Sequence, residues 1–279
     1  MRLLLKVSRP RFWFYLFGPY IVGLAAGVTD RAHLLDWRYL LLGLYFLLPA
    51  NLLVYGVNDI FDYETDRLNP KKAEYEALVA PDSRRRLFYW IMGLNLPFIV
   101  LAAGLFDART FAALQTFIFL SIFYSSPPIR AKTKPFLDSA FNILYVMPGV
   151  FAYCMAAGDL PPVELILAGG LWTAAMHAYS AVPDIESDRA AGLRTIATLL
   201  GANVTIALCL VLYLAAAALS ANHLGIVSLA LGAAYAILMI ASFVSLRTGR
   251  IFDLYSRFPL INAAAGFIIF WQVALDKLL

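Results

Sequence analysis

The segment Asn58-Asp59-Ile60-Phe61-Asp62-Tyr63-Glu64-Thr65-Asp66-Arg67 returns in the second half of the chain, almost unchanged at its end, as Asp184-Ile185-Glu186-Ser187-Asp188-Arg189. Each copy stands directly behind an apolar stretch long enough to span a membrane. A charged group at bilayer depth costs roughly 2.5–3.5 kcal/mol on insertion scales, so acidic clusters at the mouths of two hydrophobic segments require a compensating partner. A divalent metal ion is the simplest one.

The rest of the chain fits a membrane setting. Hydrophobic residues make up 62% of the 279 positions and charged residues 14%, and the mean hydropathy is +0.74. Such values exclude an ordinary soluble domain. Cys154 and Cys209 both lie in apolar runs and read as packing residues, not as a disulfide or a metal site. The basic N-terminus leads into an apolar run that lacks a cleavage site, which reads as a first helix and not as a removable leader.

Stretches near the ~20 residues a spanning helix needs occur at 12–28, 39–57, 87–106, 110–125, 138–157, 163–182, 202–220, 223–246 and 258–278. If the N-terminus is cytoplasmic, eighteen of the 22 Lys and Arg residues fall on that side, leaving Arg31, Arg38, Arg109 and Lys277 on the other. Such a bias is what an odd helix count with a cytoplasmic start produces. The pI near 9.0 therefore reports topology and an anionic ligand, and no nucleic-acid partner is expected.

Both acidic clusters land on the basic, cytoplasmic face, the first after helix 2 and the second after helix 6. Asp62 and Asp184 are separated by the same 122 residues as Asp66 and Asp188. With four spans between the copies, both must open to the same side. The expected fold is an all-α membrane protein of nine transmembrane helices, built as two parallel four-helix repeats plus one helix around a central cavity. Repeat one covers about 10–130, repeat two about 135–250, and helix nine 258–278, in a single integral-membrane domain.

Within each cluster the aspartates stand four apart, which on a helix sets both carboxylates on one face about 5–6 Å apart at Cβ. Left alone, that arrangement is repulsive. Asn58 and Asp59 add a further turn of oxygen donors to the first cluster. Hard oxygen ligands suit Mg²⁺, which takes one or two carboxylates, keeps waters and completes its shell with phosphate oxygens. The metal ligands read from this pattern are Asn58, Asp59, Asp62, Asp66, Asp184 and Asp188. A solvated helix cap, neutralised by Arg67, Lys71, Arg189 and Arg194, is the plain alternative for one such cluster, and the duplication argues against it. Glu64 and Glu186 point elsewhere on a helix and read as solvent or salt-bridge groups. Asn51 and His177 lie seven residues before Asn58 and Asp184, two turns deeper along roughly the same faces.

At these residues the chain resembles the UbiA superfamily of intramembrane prenyltransferases. Asn58-Asp59-x-x-Asp62-x-x-x-Asp66 matches its first signature, and Asp184-x-x-x-Asp188 its second. The loop Tyr124-Ser125-Ser126-Pro127-Pro128-Ile129-Arg130-Ala131-Lys132 is similar to the family's segment after helix 4, and Arg9-Pro10 to its entry into helix 1. The resemblance covers essentially the whole chain. It implies that an allylic isoprenoid diphosphate is bound through Mg²⁺ held by both motifs, ionised, and its prenyl group transferred to a hydrophobic acceptor. Diphosphate leaves only when its growing charge is neutralised by metals and cations in a low-dielectric pocket. Arg130 and Lys132 are the first candidates for that cationic clamp. Arg67, Lys71, Arg189 and Tyr124 are further candidates for holding the donor. In several relatives a Lys stands four residues after the loop tyrosine, where this chain has Pro128.

Tyr55 to Lys72, and Val182-Pro183-Asp184-Ile185-Glu186-Ser187-Asp188-Arg189 with Thr195 to Gly201, look most like the carotenoid branch, the lycopene elongases. Asn69-Pro70-Lys71-Lys72 stands where quinone and haem branches carry an Arg-Pro element. The resemblance thus implies a carotenoid acceptor, with a quinone precursor or a lipid as the alternative, in a bacterial or archaeal cell membrane. A secondary transporter would also show repeated bundles, but its acids sit within broken helices and not at one mouth. A CDP-alcohol phosphotransferase would need an Asp-Gly metal motif that this chain lacks.

Overall fold

The computed structural model describes residues 2–30, 33–62 and 79–278. Every element among the described residues is helical. The α-helices are α1 Arg2–Val7, α2 Phe14–Gly27, α3 Trp37–Leu47, α4 Pro49–Phe61, α5 Pro81–Leu105, α6 Ala108–Ser125, α7 Leu137–Ala140, α8 Met147–Ala157, α9 Val163–Ser180, α10 Ile185–Ala190, α11 Ile196–Leu200, α12 Ala202–Leu224, α13 Ile226–Arg247, α14 Ile251–Tyr255 and α15 Phe258–Leu278.

Six stretches among the described residues are long and apolar enough to cross a membrane: Trp37–Phe61, Pro81–Leu105, Leu137–Ala157, Ala202–Leu224, Ile226–Arg247 and Ile251–Leu275. The sequence predicts nine crossings. The segments that make the difference are all helical, but α2 has only 14 residues, while α6 and α9 have 18 each. Arg109, Gln115 and Thr116 dilute the apolar character of α6, and Glu164 and His177 that of α9.

The chain divides into two compact units. The first comprises Met1–Arg130, Met147–Leu160 and Asp276–Leu279, and the second Ala131–Val146 and Pro161–Leu275.

In the first unit α4 is the central rod. Every residue from Pro49 to Val57 is buried, and α1, α3, α5 and α6 all pack against this helix. Pro49 has no N–H to give and breaks the ladder between α3 and α4. Carbonyls exposed by such a break must be paired inside the protein. The Asn51 amide nitrogen does this for Phe46 (2.8 Å) and Leu47 (2.7 Å), while that of Asn95 on α5 bonds Pro49 (3.1 Å) and Ile91 (2.9 Å). Asn51 is wholly buried and is committed to the backbone.

On the other side of this unit α2 and α8 meet along a seam of small residues, the packing that membrane helices favour where no side chain need intervene. A Cβ added at Gly23 would stand 2.0 Å from the Gly149 carbonyl oxygen, and one at Gly27 would stand 2.9 Å from the Ala156 Cβ.

In the second unit α9 takes the central place, against α7, the 3₁₀ turn Phe141–Tyr145 and α12. Gly169 and Gly170 allow the turn to approach, since a Cβ there would meet Val146 at 3.0 Å and Ile143 at 3.1 Å. The Tyr179 hydroxyl on α9 pairs with the Ser242 hydroxyl on α13 at 2.8 Å, so two buried polar groups satisfy each other.

Candidate active site

The first motif sits at the C-terminal end of α4. Asn58 and Asp59 belong to its last turn, and Asp62 is the residue that ends it, with φ −111° and ψ 6°. Helix α4 is described as far as Phe61, and the stretch from Tyr63 to Asp66 lies outside the described residues. A helix C-terminus carries roughly half a negative charge, which repels carboxylates placed there. Asp59 is nevertheless 1% exposed and Asp62 3%. Two buried anions at a negative helix end call for cations, and two arginines supply them.

Arg9 donates from Nη2 to Asp59 Oδ1 at 3.0 Å, and its guanidinium lies over the Tyr55 ring, 4.7 Å from the centroid. Arg130 Nη2 is 3.7 Å from Asp62 Oδ1, an ion pair without a hydrogen bond of ordinary length. Both arginines have left-handed backbones, with φ 50° at Arg9 and 45° at Arg130. Non-glycine residues adopt that region rarely, and such strain collects where a surrounding structure imposes a functional conformation. The only other described non-glycine residue with positive φ is Phe136. Asn58 donates from Nδ2 to Ser125 Oγ at 3.0 Å, which ties the motif to the end of α6. Tyr124 is half-buried on that same last turn.

The second motif lies in the second unit. Asp184 occupies the N-cap position of α10, and the Asp188 N–H donates to the Asp184 carbonyl at 2.8 Å. One helical turn therefore sets the two carboxyl groups on a common face, as their spacing predicts. Both are half-buried, whereas Glu186 is exposed. Arg189 donates from Nη2 to the Thr198 carbonyl at 3.2 Å. Lys132 is half-buried on the 3₁₀ turn Ala131–Thr133 of this unit.

Asp66, Arg67 and Lys71 lie outside the described residues, as does Glu64. Among the described residues no group of three His, Cys, Asp or Glu side chains gathers as a metal cluster. Asp59 and Asp62 are the described acids of the first motif, and Asp184 and Asp188 those of the second. Their donor sets are hard carboxylate and amide oxygens, which fit Mg²⁺ and exclude a thiolate-type site.

Arg9 is the site residue that the motif reading missed. Its one signal was the following proline, which bars the preceding residue from the right-handed helical region and forces a turn between α1 and the 3₁₀ turn Pro10–Phe12. A partner fifty positions away could not be read from that.

The family model of UbiA, the UbiA prenyltransferase family, matches residues 16–272. A lycopene elongase/hydratase of Haloferax volcanii is 42% identical over 267 residues, covering 94% of this chain and 85% of the relative. A lycopene elongase/hydratase of Halobacterium salinarum is 42% identical over 220 residues, 79% of each protein. Among solved structures, a UbiA homologue from Archaeoglobus fulgidus bound to GPP and Mg²⁺ superposes with a TM-score of 0.73 at 20% identity, covering 96% of this chain and 99% of that one.

Proposed function

The chain belongs to the UbiA prenyltransferase family, and from that membership we propose that it is a Mg²⁺-dependent enzyme of carotenoid elongation. In this reading it ionises an allylic isoprenoid diphosphate within the membrane and joins the prenyl group to the end of lycopene or a related carotenoid. The observation that carries it is the pair of buried carboxylates, Asp59 and Asp62, at the negative end of α4, each faced by an arginine. Anions so placed are poised to exchange guanidinium partners for a metal-bound diphosphate. The 42% identity to lycopene elongase/hydratases supports the choice of acceptor.

Asn58, Asp59, Asp62 and Asp66 of the first motif, and Asp184 and Asp188 of the second, would hold the metal. Bound Mg²⁺ supplies charge neutralisation for the departing diphosphate. Arg130 and Lys132 bind the diphosphate oxygens, with Tyr124, Arg67, Lys71 and Arg189 as further donors to it. Water is kept from the cation by the apolar surroundings of α4. No base is required to activate an alkene acceptor. The cation left on it after addition ends by losing a proton or by capturing water. The helix count of nine, the division into repeats at about 10–130 and 135–250, and a cytoplasmic N-terminus and mouth belong to the same proposal. The basic residues on one set of loops support that orientation.

Carotenoids extracted from a lycopene-producing bacterium that expresses the chain, analysed by mass beside an Asp62→Ala control, test the proposal. Lycopene derivatives enlarged by one or two C5 units, absent from the control, are expected. Unchanged lycopene, with the protein present in the membrane, would overturn the carotenoid acceptor and direct the search to quinone precursors and lipids.

A further inference from the structure

Away from both aspartate motifs, the second unit encloses a carboxylate that the proposed chemistry does not use. Asp138 is the second residue of the candidate span Leu137–Ala157 and is 0% exposed. An ionisable group buried in a membrane segment is costly and is kept where it does work on another group. Its Oδ1 accepts the Ser139 N–H at 2.8 Å, and its Oδ2 accepts the Ile196 N–H at 2.6 Å. These two backbone donors hold the carboxyl group in a fixed orientation. The Asn142 amide bonds the Asp138 carbonyl at 2.6 Å and fixes the turn that carries it.

The titratable group beside this carboxyl is His177 on α9, whose Nε2 is 3.9 Å from Asp138 Oδ2. The imidazole is 19% exposed where the carboxylate is sealed. A histidine with one accessible edge and a fixed buried carboxyl group beside it has the arrangement of a proton acceptor with its positioning residue. His177 also lies seven residues before Asp184, so it belongs to the membrane-embedded stretch leading to the second motif.

We propose that His177 is the proton acceptor that ends the prenyl transfer, and that Asp138 is its positioning residue. This rests on the reading of the chain as a carotenoid prenyltransferase. In that reaction the donor C1–O bond breaks and its electron pair leaves on the diphosphate. The π pair of the acceptor's terminal alkene forms the new C–C bond to C1 and leaves a tertiary cation on the adjoining acceptor carbon. A C–H pair beside the cation then closes into a new C=C as the proton passes to the unprotonated ring nitrogen of His177. Where water adds to the cation instead, the proton lost from its oxygen goes to the same nitrogen. The imidazolium returns that proton to solvent water before the next cycle.

The test uses the full-length protein in liposomes with Mg²⁺, dimethylallyl diphosphate and lycopene, following pyrophosphate release and carotenoid products together. His177→Gln should bind the donor with Kd within about twofold of the parent and still release pyrophosphate. Its enlarged carotenoid per pyrophosphate should fall by about tenfold or more, toward the lower end of what a general base contributes, and the alkene-to-alcohol product ratio should change. Added imidazole should restore coupling to His177→Gly, a rescue that a structural role would not give. Asp138→Asn, which keeps an acceptor for the Ile196 N–H but removes the carboxyl group, should lower kcat with donor KM unchanged. Parent-like coupling and product ratio in His177→Gln would overturn the proposal and assign the proton to a diphosphate oxygen. Parent-like kcat in Asp138→Asn would remove Asp138 from it. A parent protein that leaves lycopene untouched would instead overturn the carotenoid reading, and this inference with it.

Discussion

Arg9 reaches across fifty positions of sequence to set its Nη2 3.0 Å from Asp59 Oδ1, so the segment ahead of the first apolar helix closes over the first aspartate motif. The contact joins three requirements. A buried carboxylate needs a charged partner, a negative helix end favours a cation, and a guanidinium over an aromatic ring gains from the π face. Arg9 answers all three at once.

Replacing Arg9 by Ala should remove a charged partner from the buried Asp59, a change that costs up to about 3–5 kcal/mol in comparable pairs. Arg9→Lys should fall between, because an ammonium keeps the charge but loses the planar stack on Tyr55. Melting of the detergent-purified proteins measures this, and added Mg²⁺ and diphosphate should narrow the gap. A melting temperature for Arg9→Ala equal to the parent's would refute the assigned role.

Asp62→Asn and Asp184→Asn should each reduce prenyl transfer by roughly 10²-fold or more, the scale on which a charge-stabilising group in an active site is felt. Membrane insertion and the helical circular dichroism spectrum should stay as in the parent. Turnover assays over a Mg²⁺ series check the point, and full activity in either variant would remove that aspartate from the site.

Arg130→Gln and Lys132→Gln separate clamp from scaffold. Each is expected to raise the KM for the diphosphate donor by about tenfold, the equivalent of about 1.4 kcal/mol, with acceptor KM unchanged. Initial rates with each substrate varied in turn provide the comparison. An effect confined to the acceptor would take the residue out of the clamp.

Gly23→Ala places a Cβ 2.0 Å from a backbone oxygen, whereas one at Gly93 on α5 would meet nothing within 4 Å. The first substitution should therefore cost at least the ~1–3 kcal/mol typical of overpacking. The second should be neutral or stabilising by up to about 1 kcal/mol, since Ala is the better helix former. Yield of folded protein and thermal melts of the pair give the answer.

Acid stability carries a sign that can be worked out at Asp36. Hydrogen bonds from Arg38, side chain first and then backbone, hold the Asp36 carboxyl down to about 2, below the ~3.9 of an unfolded aspartate. Its contribution is thus fully present above about pH 4 and is lost as pH falls through about 2. Asp36→Asn should flatten this part of the acid limb in melts taken between pH 5 and 2. An unchanged slope would show that the pair does nothing for the fold.

The helical class and both acidic motifs were legible because each rests on local regularities: apolar runs of spanning length, and aspartates one helical turn apart at Asp184 and Asp188. What the sequence hid is long-range or shape-dependent. Arg9 carries no motif that names Asp59 as its partner. Asn51 shares the face of Asn58 by register, yet Pro49 draws its amide to backbone carbonyls that only the folded break leaves open. Asp138 looks like any polar residue after a loop until Ile196, 58 positions on, is found donating to it. At α6 and α9 the apolar pattern is weaker, because helices of 18 residues there carry polar side chains.

The contact of α2 with α8 bears on how variation in this protein should be interpreted. At Gly23 and Gly149 one backbone rests on the other, and neither position offers a side chain to a substrate. A mutational library selected for product would nevertheless return glycine at both, with the intolerance usually credited to reacting groups. Invariance there would record the thickness of a methyl group, and a search for new acceptor specificity should leave that seam alone.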